Sequence, residues 1–180
     1  DWWGYFDLGS DLHLVCIADV TGHGAASALV TAMTQATCMG FANRNEHRKS
    51  NEEVECSALL SEINRVLYDT FQGDYFMTFF ALIFDSKKNL VKASNAGHNF
   101  PMVLRKNLSQ PEAIIVQGNP LGFQAKTEYK DKVLELAGTE RFILFTDGLT
   151  ECRNPENKMY GPGNFRRSVI RTAARPPLEF

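Results

Sequence analysis

The chain has 180 residues, of which 44% are hydrophobic and 22% charged, and its formal net charge at pH 7 is −2. This length supports one sizeable core, so a single domain over residues 1–180 is predicted. The weak net charge offers no broad basic field to a phosphate backbone, which argues against nucleic acid as a partner. The longest uncharged apolar run, residues 75–84, is about half of a membrane-spanning helix, and we expect a cytoplasmic domain.

The cysteines indicate the redox environment of the chain, and its first residue indicates that it is part of a longer protein. Cys16, Cys38, Cys56 and Cys152 are widely separated and form neither a C-x-x-C zinc pair nor a dense disulfide framework. We predict reduced thiols, mostly in the core. Because the sequence begins at Asp1 and not at a methionine, we interpret it as a fragment of a longer multidomain chain, whose other parts would include any membrane anchor.

The first third of the chain predicts a β-hairpin followed by a helix. Residues 3–8 and 12–18 are apolar runs on either side of a Gly-Ser-Asp turn. Residues 25–41 then show apolar and small side chains at helical spacing. This spacing predicts a helix whose buried face consists of Ala25, Ala28, Leu29, Ala32, Met33 and Ala36.

The rest of the chain predicts a second helix and a set of strands. Ser50 and Glu53 match a capping box, and an apolar stripe continues from there to Phe71. Residues 77–85 are apolar on both faces, which is typical of a strand in the middle of a covered sheet. Further strands are predicted at residues 90–96, 102–105, 113–116, 132–136 and 141–146, with a last helix at residues 164–174.

Two of the predicted strands end in an aspartate followed by a glycine-containing loop. Asp19 follows residues 12–18, and Asp147 follows residues 141–146. Turns are commonly built from Asp and Gly, and for a single such residue that ordinary explanation is preferable. Two carboxylates at the ends of apolar strands, however, need a partner, and no Lys or Arg lies within seven residues of Asp19. The pattern therefore predicts a hard divalent cation, with Asp1 brought back beside Asp19 by the hairpin.

Six segments of the chain together resemble a known family. The chain resembles the metal-dependent type 2C (PPM) protein serine/threonine phosphatases, in particular their bacterial SpoIIE/RsbU-type branch. The segments that carry the resemblance are, in order, DWWGYFDL, ADVTGHGAASALVTAM, FMTFFALIFD, NAGHNFPMVLR, GNPLGF and RFILFTDGLTECRNPENKMYG. The resemblance implies an α+β fold, an αββα sandwich of two mainly antiparallel sheets flanked by helices, here lacking terminal strands.

The resemblance also implies a centre of two divalent cations, Mn²⁺ or Mg²⁺. Carried over residue by residue, it makes Asp19 the carboxylate that bridges both cations and the backbone carbonyl of Val20 a ligand to one of them. Asp147 would bind the other cation, and Asp1 would join from the neighbouring strand through water. Asp19 and Asp147 are thus the expected catalytic residues.

The loop after Asp19 is expected to bind the substrate. Gly22 and Gly24 would let backbone groups approach the cations and the phosphate. His23 has two interpretations, a general acid for the leaving oxygen or a residue that packs or caps the loop. His98 is interpreted as a structural loop residue.

The activity implied by the resemblance is hydrolysis of phosphoserine or phosphothreonine on a protein by a metal-activated water, without a phosphoenzyme. The implied substrate is a STAS-type anti-sigma factor antagonist, and a sensor domain is expected in the same chain. A tyrosine phosphatase would need a cysteine followed by a phosphate loop ending in arginine, which none of the four cysteines has. A phosphoesterase acting on nucleotides is less favoured, because TGHGAAS lacks the Lys-Ser/Thr of a P-loop.

One departure from the family limits the prediction of activity. The family ends with a strand carrying another aspartate in an Asp-Asp-x-Thr context, and no such segment follows Asp147 before Phe180. We therefore expect either a truncated enzyme or an incomplete site. The alternative function is a catalytically weak module with the phosphatase fold that acts as a regulatory binding domain. Sheet edges left open by missing strands would favour a homodimer.

Overall fold

The computed structural model describes residues 1–47, 52–105, 110–138 and 140–173. In chain order its elements are β1 (Trp2–Asp7), β2 (Leu12–Val20), α1 (Ala25–Glu46), α2 (Cys56–Phe71), β3 (Met77–Asp85), β4 (Leu90–Ala96), β5 (Met102–Leu104), β6 (Glu112–Ala113), β7 (Lys132–Glu135), β8 (Arg141–Ile143), α3 (Asp147–Glu151) and α4 (Gly161–Thr172).

These elements belong to two units. The first comprises residues 1–98 and 115–137, and the second comprises residues 99–114 and 138–180. Among the described residues each unit has one antiparallel sheet and two helices, so the predicted α+β class is confirmed. That residues 1–180 act as one domain remains a prediction.

The sheet of the first unit is centred on β3. Its strand order is β1-β2-β3-β4-β7, and all neighbours are antiparallel. Phe79 and Phe80, on opposite faces of β3, are both fully buried, which confirms the prediction of a central strand covered on both sides. On β2 the alternate residues are buried, and the β1–β2 hairpin forms as predicted. Trp2 of β1 stacks on Phe79, with ring centroids 5.8 Å apart.

Helix α1 buries a different face from the one predicted. The predicted face is exposed apart from the half-buried Met33, and Leu29 keeps 51% of its surface accessible. The face that is buried consists of Ser27, Val30, Thr34, Cys38, Phe41 and Ala42. The prediction was wrong because alanine has little apolar area and gives a weak periodic signal. Ser27 and Thr34 tolerate burial because their hydroxyls donate to Thr21 O and Met77 Sδ, at 3.2 and 3.1 Å.

Helix α2 begins later than the capping box predicts. It starts at Cys56, so Glu53 lies outside it, and Ser50 falls outside the described residues. The carboxylate of Asp131 instead accepts from the backbone N–H groups of Cys56 and Ser57, at 2.9 and 2.7 Å. An acceptor 75 residues away thus satisfies two of the orphan donors of the first turn.

Removing this distant cap should destabilise the first unit. We expect Asp131→Ala to lower the free energy of unfolding by about 1–2 kcal/mol, because two N–H groups of the first helical turn lose their acceptor. Asp131→Asn should lower the free energy of unfolding less, since its side-chain amide keeps one oxygen that can accept a hydrogen bond. Urea unfolding followed by circular dichroism measures the difference. The control is Glu128→Ala, whose side chain is 82% exposed; an equal loss in the control would contradict the capping role.

The cysteines differ sharply in accessibility. Cys16, Cys38 and Cys56 are buried, Cys152 is exposed, and all four are free thiols, as predicted. Burial raises the pKa of the Cys16 thiol well above its ordinary value, and the neighbouring Cys38 adds to the rise. Burial raises the pKa of Cys56 as well, with the negative charge of Asp131 as a second cause. Both thiols therefore stay protonated and unreactive near neutral pH.

Thiol labelling should report this difference directly. At pH 8 the native chain is expected to react quickly with DTNB at Cys152 alone, and all four thiols should react in guanidinium chloride. Cys152→Ser is the matched variant and should remove the fast phase. A second fast thiol in the native protein would contradict the burial of the other three.

The second unit has a small sheet with the order β6-β5-β8. Leu104 of this sheet forms an apolar cluster with Phe165 and Val169 of α4, and Phe145 packs on Phe165 with ring centroids 4.6 Å apart. The strands predicted at residues 113–116 and 141–146 are shorter than expected, and α3 was not predicted. Across the described ranges, no helix combines the length and the apolar character needed to cross a membrane.

Candidate metal centre

The β1–β2 hairpin brings two aspartates together in the first unit. Trp2 pairs with Ala18, so Asp1 lies at the same end of the hairpin as Asp19. The amino nitrogen of Asp1 is 3.5 Å from Oδ1 of Asp19, and 32% of the Asp19 side chain is exposed. The hairpin register thus places Asp1 beside Asp19, as the sequence predicts.

The residues after Asp19 are fixed to neighbouring elements. Thr21 is held by Phe76, whose carbonyl accepts from the Thr21 backbone N–H at 3.0 Å and from its hydroxyl at 2.8 Å. The Thr21 carbonyl in turn accepts from Ser27 of α1. The backbone on the far side of Val20 therefore has little freedom to move.

The loop at residues 22–24 is exposed and needs its glycines. Gly22 and Gly24 have φ values of +79° and +89°, in the region that favours glycine. His23 between them is exposed, and the residue that caps α1 is Gly24. His23 therefore neither caps the helix nor packs in the core. The first turn of α1 contains no acidic residue, so the positive end of its helix dipole is not neutralised locally.

A buried polar cluster lies behind Asp19. His98 is 5% exposed, and its backbone N–H donates to Asn95 Oδ1 at 2.9 Å. The Asn95 amide donates to the carbonyls of His98 and Val116, at 3.1 and 2.8 Å. The ring Nδ1 of His98 is 2.7 Å from Thr78 Oγ1, and the Thr78 hydroxyl donates to the Asp19 carbonyl at 3.4 Å. His98 is a buried structural residue, as interpreted, but its link to Asp19 through Thr78 was not predicted.

Asp147 belongs to the second unit. It is the first residue of α3, it is exposed, and its carbonyl accepts from the Thr150 hydroxyl at 3.0 Å. Over residues 1–47, 52–105, 110–138 and 140–173, no group of three or more His, Cys, Asp or Glu residues is arranged to hold a metal ion. The structure thus brings Asp1 and Asp19 together, and the role of Asp147 as a ligand remains a prediction.

The donor set around Asp19 fits a hard divalent cation. The predicted donors are the Asp1 and Asp19 carboxylates and the backbone carbonyl of Val20, which are oxygen ligands of the kind that Mg²⁺ and Mn²⁺ prefer. Within the described part of the chain, no Lys or Arg side chain forms an ion pair with Asp19. The positively charged neighbour of Asp19 in the structure is the amino group of Asp1, 3.5 Å from Oδ1.

A separate cavity lies at the opposite end of the same sheet. Its volume is about 740 Å³, and its lining includes Leu12, Ile83 and Leu90 together with Lys87, Lys88 and Lys92. Leu12 is the first residue of β2, whereas Asp19 is close to its end. The cavity is therefore not the candidate metal centre.

The fold is that of the type 2C protein phosphatase domains. The SiaA-PP2C domain of Pseudomonas aeruginosa superimposes with a TM-score of 0.79 at 18% identity, over 99% of this chain and 68% of that one. Residues 10–180 match the family described as Stage II sporulation protein E (SpoIIE), and the chain belongs to this family. The resemblance read from the six sequence segments is therefore confirmed.

Two curated relatives come from Bacillus subtilis. The phosphoserine phosphatase RsbP is 24% identical over 155 residues, which are 84% of this chain and 36% of RsbP. The phosphoserine phosphatase RsbU is 25% identical over 148 residues, which are 82% of this chain and 42% of RsbU. The chain thus spans less than half the length of either relative.

Proposed function

We propose that the chain is a metal-dependent protein serine/threonine phosphatase domain that hydrolyses phosphoserine or phosphothreonine on a protein partner. The observation that carries the proposal is the position of Asp1 beside Asp19 at one end of the β1–β2 hairpin. Membership of the SpoIIE family and the similarity to two named phosphoserine phosphatases support it.

The proposed ligands of two divalent cations, Mn²⁺ or Mg²⁺, are Asp1, Asp19, Val20 and Asp147. When bound, such cations lower the pKa of a coordinated water and offset the charge of the phosphoryl group. Asp19 contributes a carboxylate held between two neighbouring strands, because β2 pairs with both β1 and β3. This support keeps the ligand in one position and avoids reorganisation during the reaction.

The proposed contacts to the phosphorylated substrate come from the loop at residues 22–24. Its backbone is exposed and precedes the first turn of α1, where unpaired N–H groups and the helix dipole favour an anion. The exposed ring of His23 is free of the capping role and can reach solvent. In this proposal it contacts the phosphate or the leaving oxygen of serine.

The proposed substrate is a phosphorylated STAS-type anti-sigma factor antagonist, and the proposed setting is partner switching in the bacterial cytoplasm. A sensor domain in the same chain and a homodimeric state complete the proposal. The substrate, the pathway and the sensor domain rest on the resemblance of this chain to the SpoIIE/RsbU-type branch, and the homodimer rests on the sheet edges that missing terminal strands would leave open.

The test is release of inorganic phosphate from a phosphoserine peptide by the purified chain. We expect hydrolysis that requires Mn²⁺, stops on chelation with EDTA and returns when Mn²⁺ is added in excess. Binding of Mn²⁺ measured in parallel separates a chain that cannot load metal from one that loads metal and is inactive. A chain that binds Mn²⁺ and leaves every phosphopeptide intact would overturn the proposal.

The second candidate is a regulatory binding module with the phosphatase fold. It is favoured by one observation, that the described residues contain no group of three metal-ligating side chains. This function predicts that the chain binds the phosphorylated partner without hydrolysing it. Fluorescence anisotropy with the same labelled phosphopeptide, with and without Mn²⁺, distinguishes the two functions.

A further inference from the structure

The buried link from His98 to Asp19 runs through the hydroxyl of Thr78. A threonine hydroxyl carries one proton, and that of Thr78 is donated to the Asp19 carbonyl at 3.4 Å. The contact of 2.7 Å between Thr78 Oγ1 and His98 Nδ1 must then use a proton on the histidine nitrogen. Nδ1 of His98 then carries a proton, and the order of donation is His98 to Thr78 to Asp19.

The position of the ring is itself fixed from the backbone side. Asn95 accepts from the His98 backbone N–H and donates to the His98 carbonyl, so both backbone polar groups of His98 are held by one side chain. Asn95 is 2% exposed, and Thr78 lies directly opposite Asp19 in the β2–β3 register. A buried, satisfied chain of polar groups of this kind holds its members in one arrangement.

The carbonyl that accepts from Thr78 belongs to the peptide group between Asp19 and Val20. Because a peptide group is planar, an oxygen held in place fixes the orientation of the whole plane. Both residues joined by that plane are proposed metal ligands, Asp19 through its carboxylate and Val20 through its carbonyl. On the far side of Val20, Thr21 is anchored to Phe76.

We propose that Thr78 and His98 are positioning residues of the metal centre, which preset the Asp19–Val20 peptide plane for cation binding through the donor chain His98 Nδ1–H to Thr78 Oγ1–H to Asp19 O. This inference rests on the proposed function, since it assigns a role toward the metal ligands of that function. The two residues touch neither substrate nor cation and act through the backbone of Asp19.

The test measures Mn²⁺ affinity by electron paramagnetic resonance of the free ion, without substrate. Thr78→Val keeps the shape of the side chain and removes the hydroxyl, and His98→Leu removes the ring donor. Loss of an outer-shell partner is expected to weaken Mn²⁺ binding about 10-fold in each variant. Thr78→Ser restores a hydroxyl and His98→Asn restores an N–H near the position of Nδ1, so both should bind within about threefold of the original chain.

Ser94→Ala is the matched control for loss of a buried hydroxyl. Ser94 is fully buried on β4 and donates to the Lys130 carbonyl at 2.9 Å, so its removal costs stability without touching Asp19. We expect its Mn²⁺ affinity to stay within about twofold of that of the original chain. An equal weakening in Ser94→Ala would mean a general structural effect and would overturn the positioning role.

Two further results keep this inference separate from the proposed function. If Asp19→Ala abolishes Mn²⁺ binding while Thr78→Val binds like the original chain, the positioning role is wrong and the metal centre stands. If Asp19→Ala binds Mn²⁺ normally, the proposed function itself fails. The ¹⁵N shifts of the His98 ring in the unsubstituted chain require no variant, and a proton found on Nε2 alone would overturn the donor order.

Discussion

Asp19→Asn is expected to lower kcat/KM for a phosphoserine peptide by roughly a thousandfold, corresponding to about 4 kcal/mol of lost transition-state stabilisation. The amide has nearly the shape of the carboxylate but lacks its charge and one of its two anionic oxygens. Because 32% of the side chain is exposed, the variant should fold normally. The measurement is steady-state phosphate release over a range of Mn²⁺ concentrations.

The matched control for this substitution lies at the other end of the same hairpin. Asp7 Oδ1 accepts from the Gly9 backbone N–H at 2.9 Å, and the amide oxygen of Asp7→Asn can accept the same bond. We expect Asp7→Asn to keep full activity. If Asp19→Asn remained active at saturating Mn²⁺, Asp19 would not be the bridging ligand, and the proposed centre would have to be abandoned.

Gly118→Ala should cause the largest loss of stability among conservative substitutions in the first unit. A Cβ atom at Gly118 would lie 2.1 Å from the Asn95 carbonyl oxygen and 3.3 Å from the Tyr129 ring. The nearer atom belongs to backbone in β4, which cannot rotate away as a side chain could. We expect a loss of about 3 kcal/mol in the free energy of unfolding, the upper part of the range for overpacked sites.

The consequence of Gly118→Ala should extend to the cluster behind Asp19. Asn95 holds His98 through two hydrogen bonds, so displacement of its backbone should also weaken Mn²⁺ binding. Gly163→Ala in α4 is the control, because nothing lies within 4 Å of its added Cβ and its φ is not positive. A helical alanine should be neutral or slightly stabilising there. Similar urea midpoints for the two variants would show that the close approach at Gly118 is relieved at little cost.

The sequence predicted those parts of the fold that depend on local patterns with a strong signal. The hairpin turn and the doubly apolar β3 are of this kind, since both follow from neighbouring residues. The predicted face of α1 was wrong because its signal came from alanines, whereas the buried face includes polar residues such as Thr34, whose partner Met77 lies 43 residues away. The start of α2 was missed for the same reason, because Asp131 is far away in the chain.

The residues of the candidate site also differ in how well the sequence predicts them. The proximity of Asp1 and Asp19 follows from strand pairing alone, and it could be predicted from the turn between the two strands. The contribution of Thr78 could not, because it depends on the register between β2 and β3. His98 appeared in the sequence only as a residue of a polar loop, and nothing in that loop indicates a hydroxyl partner 20 residues earlier. Sequence patterns thus identify the proposed ligands better than the residues that orient them.

The Asp131 cap has a consequence for the order in which the chain folds. During synthesis α2 is complete long before Asp131 is added, so the first turn of this helix must wait for a segment 75 residues later. Contacts of such large sequence separation form late, since the chain between them has to be ordered first. Substitutions at Asp131 should therefore accelerate unfolding and leave the folding rate nearly unchanged. The amino end of α2 would become protected from proteases only after the chain has left the ribosome as far as Asp131, much later than the rest of that helix is synthesised.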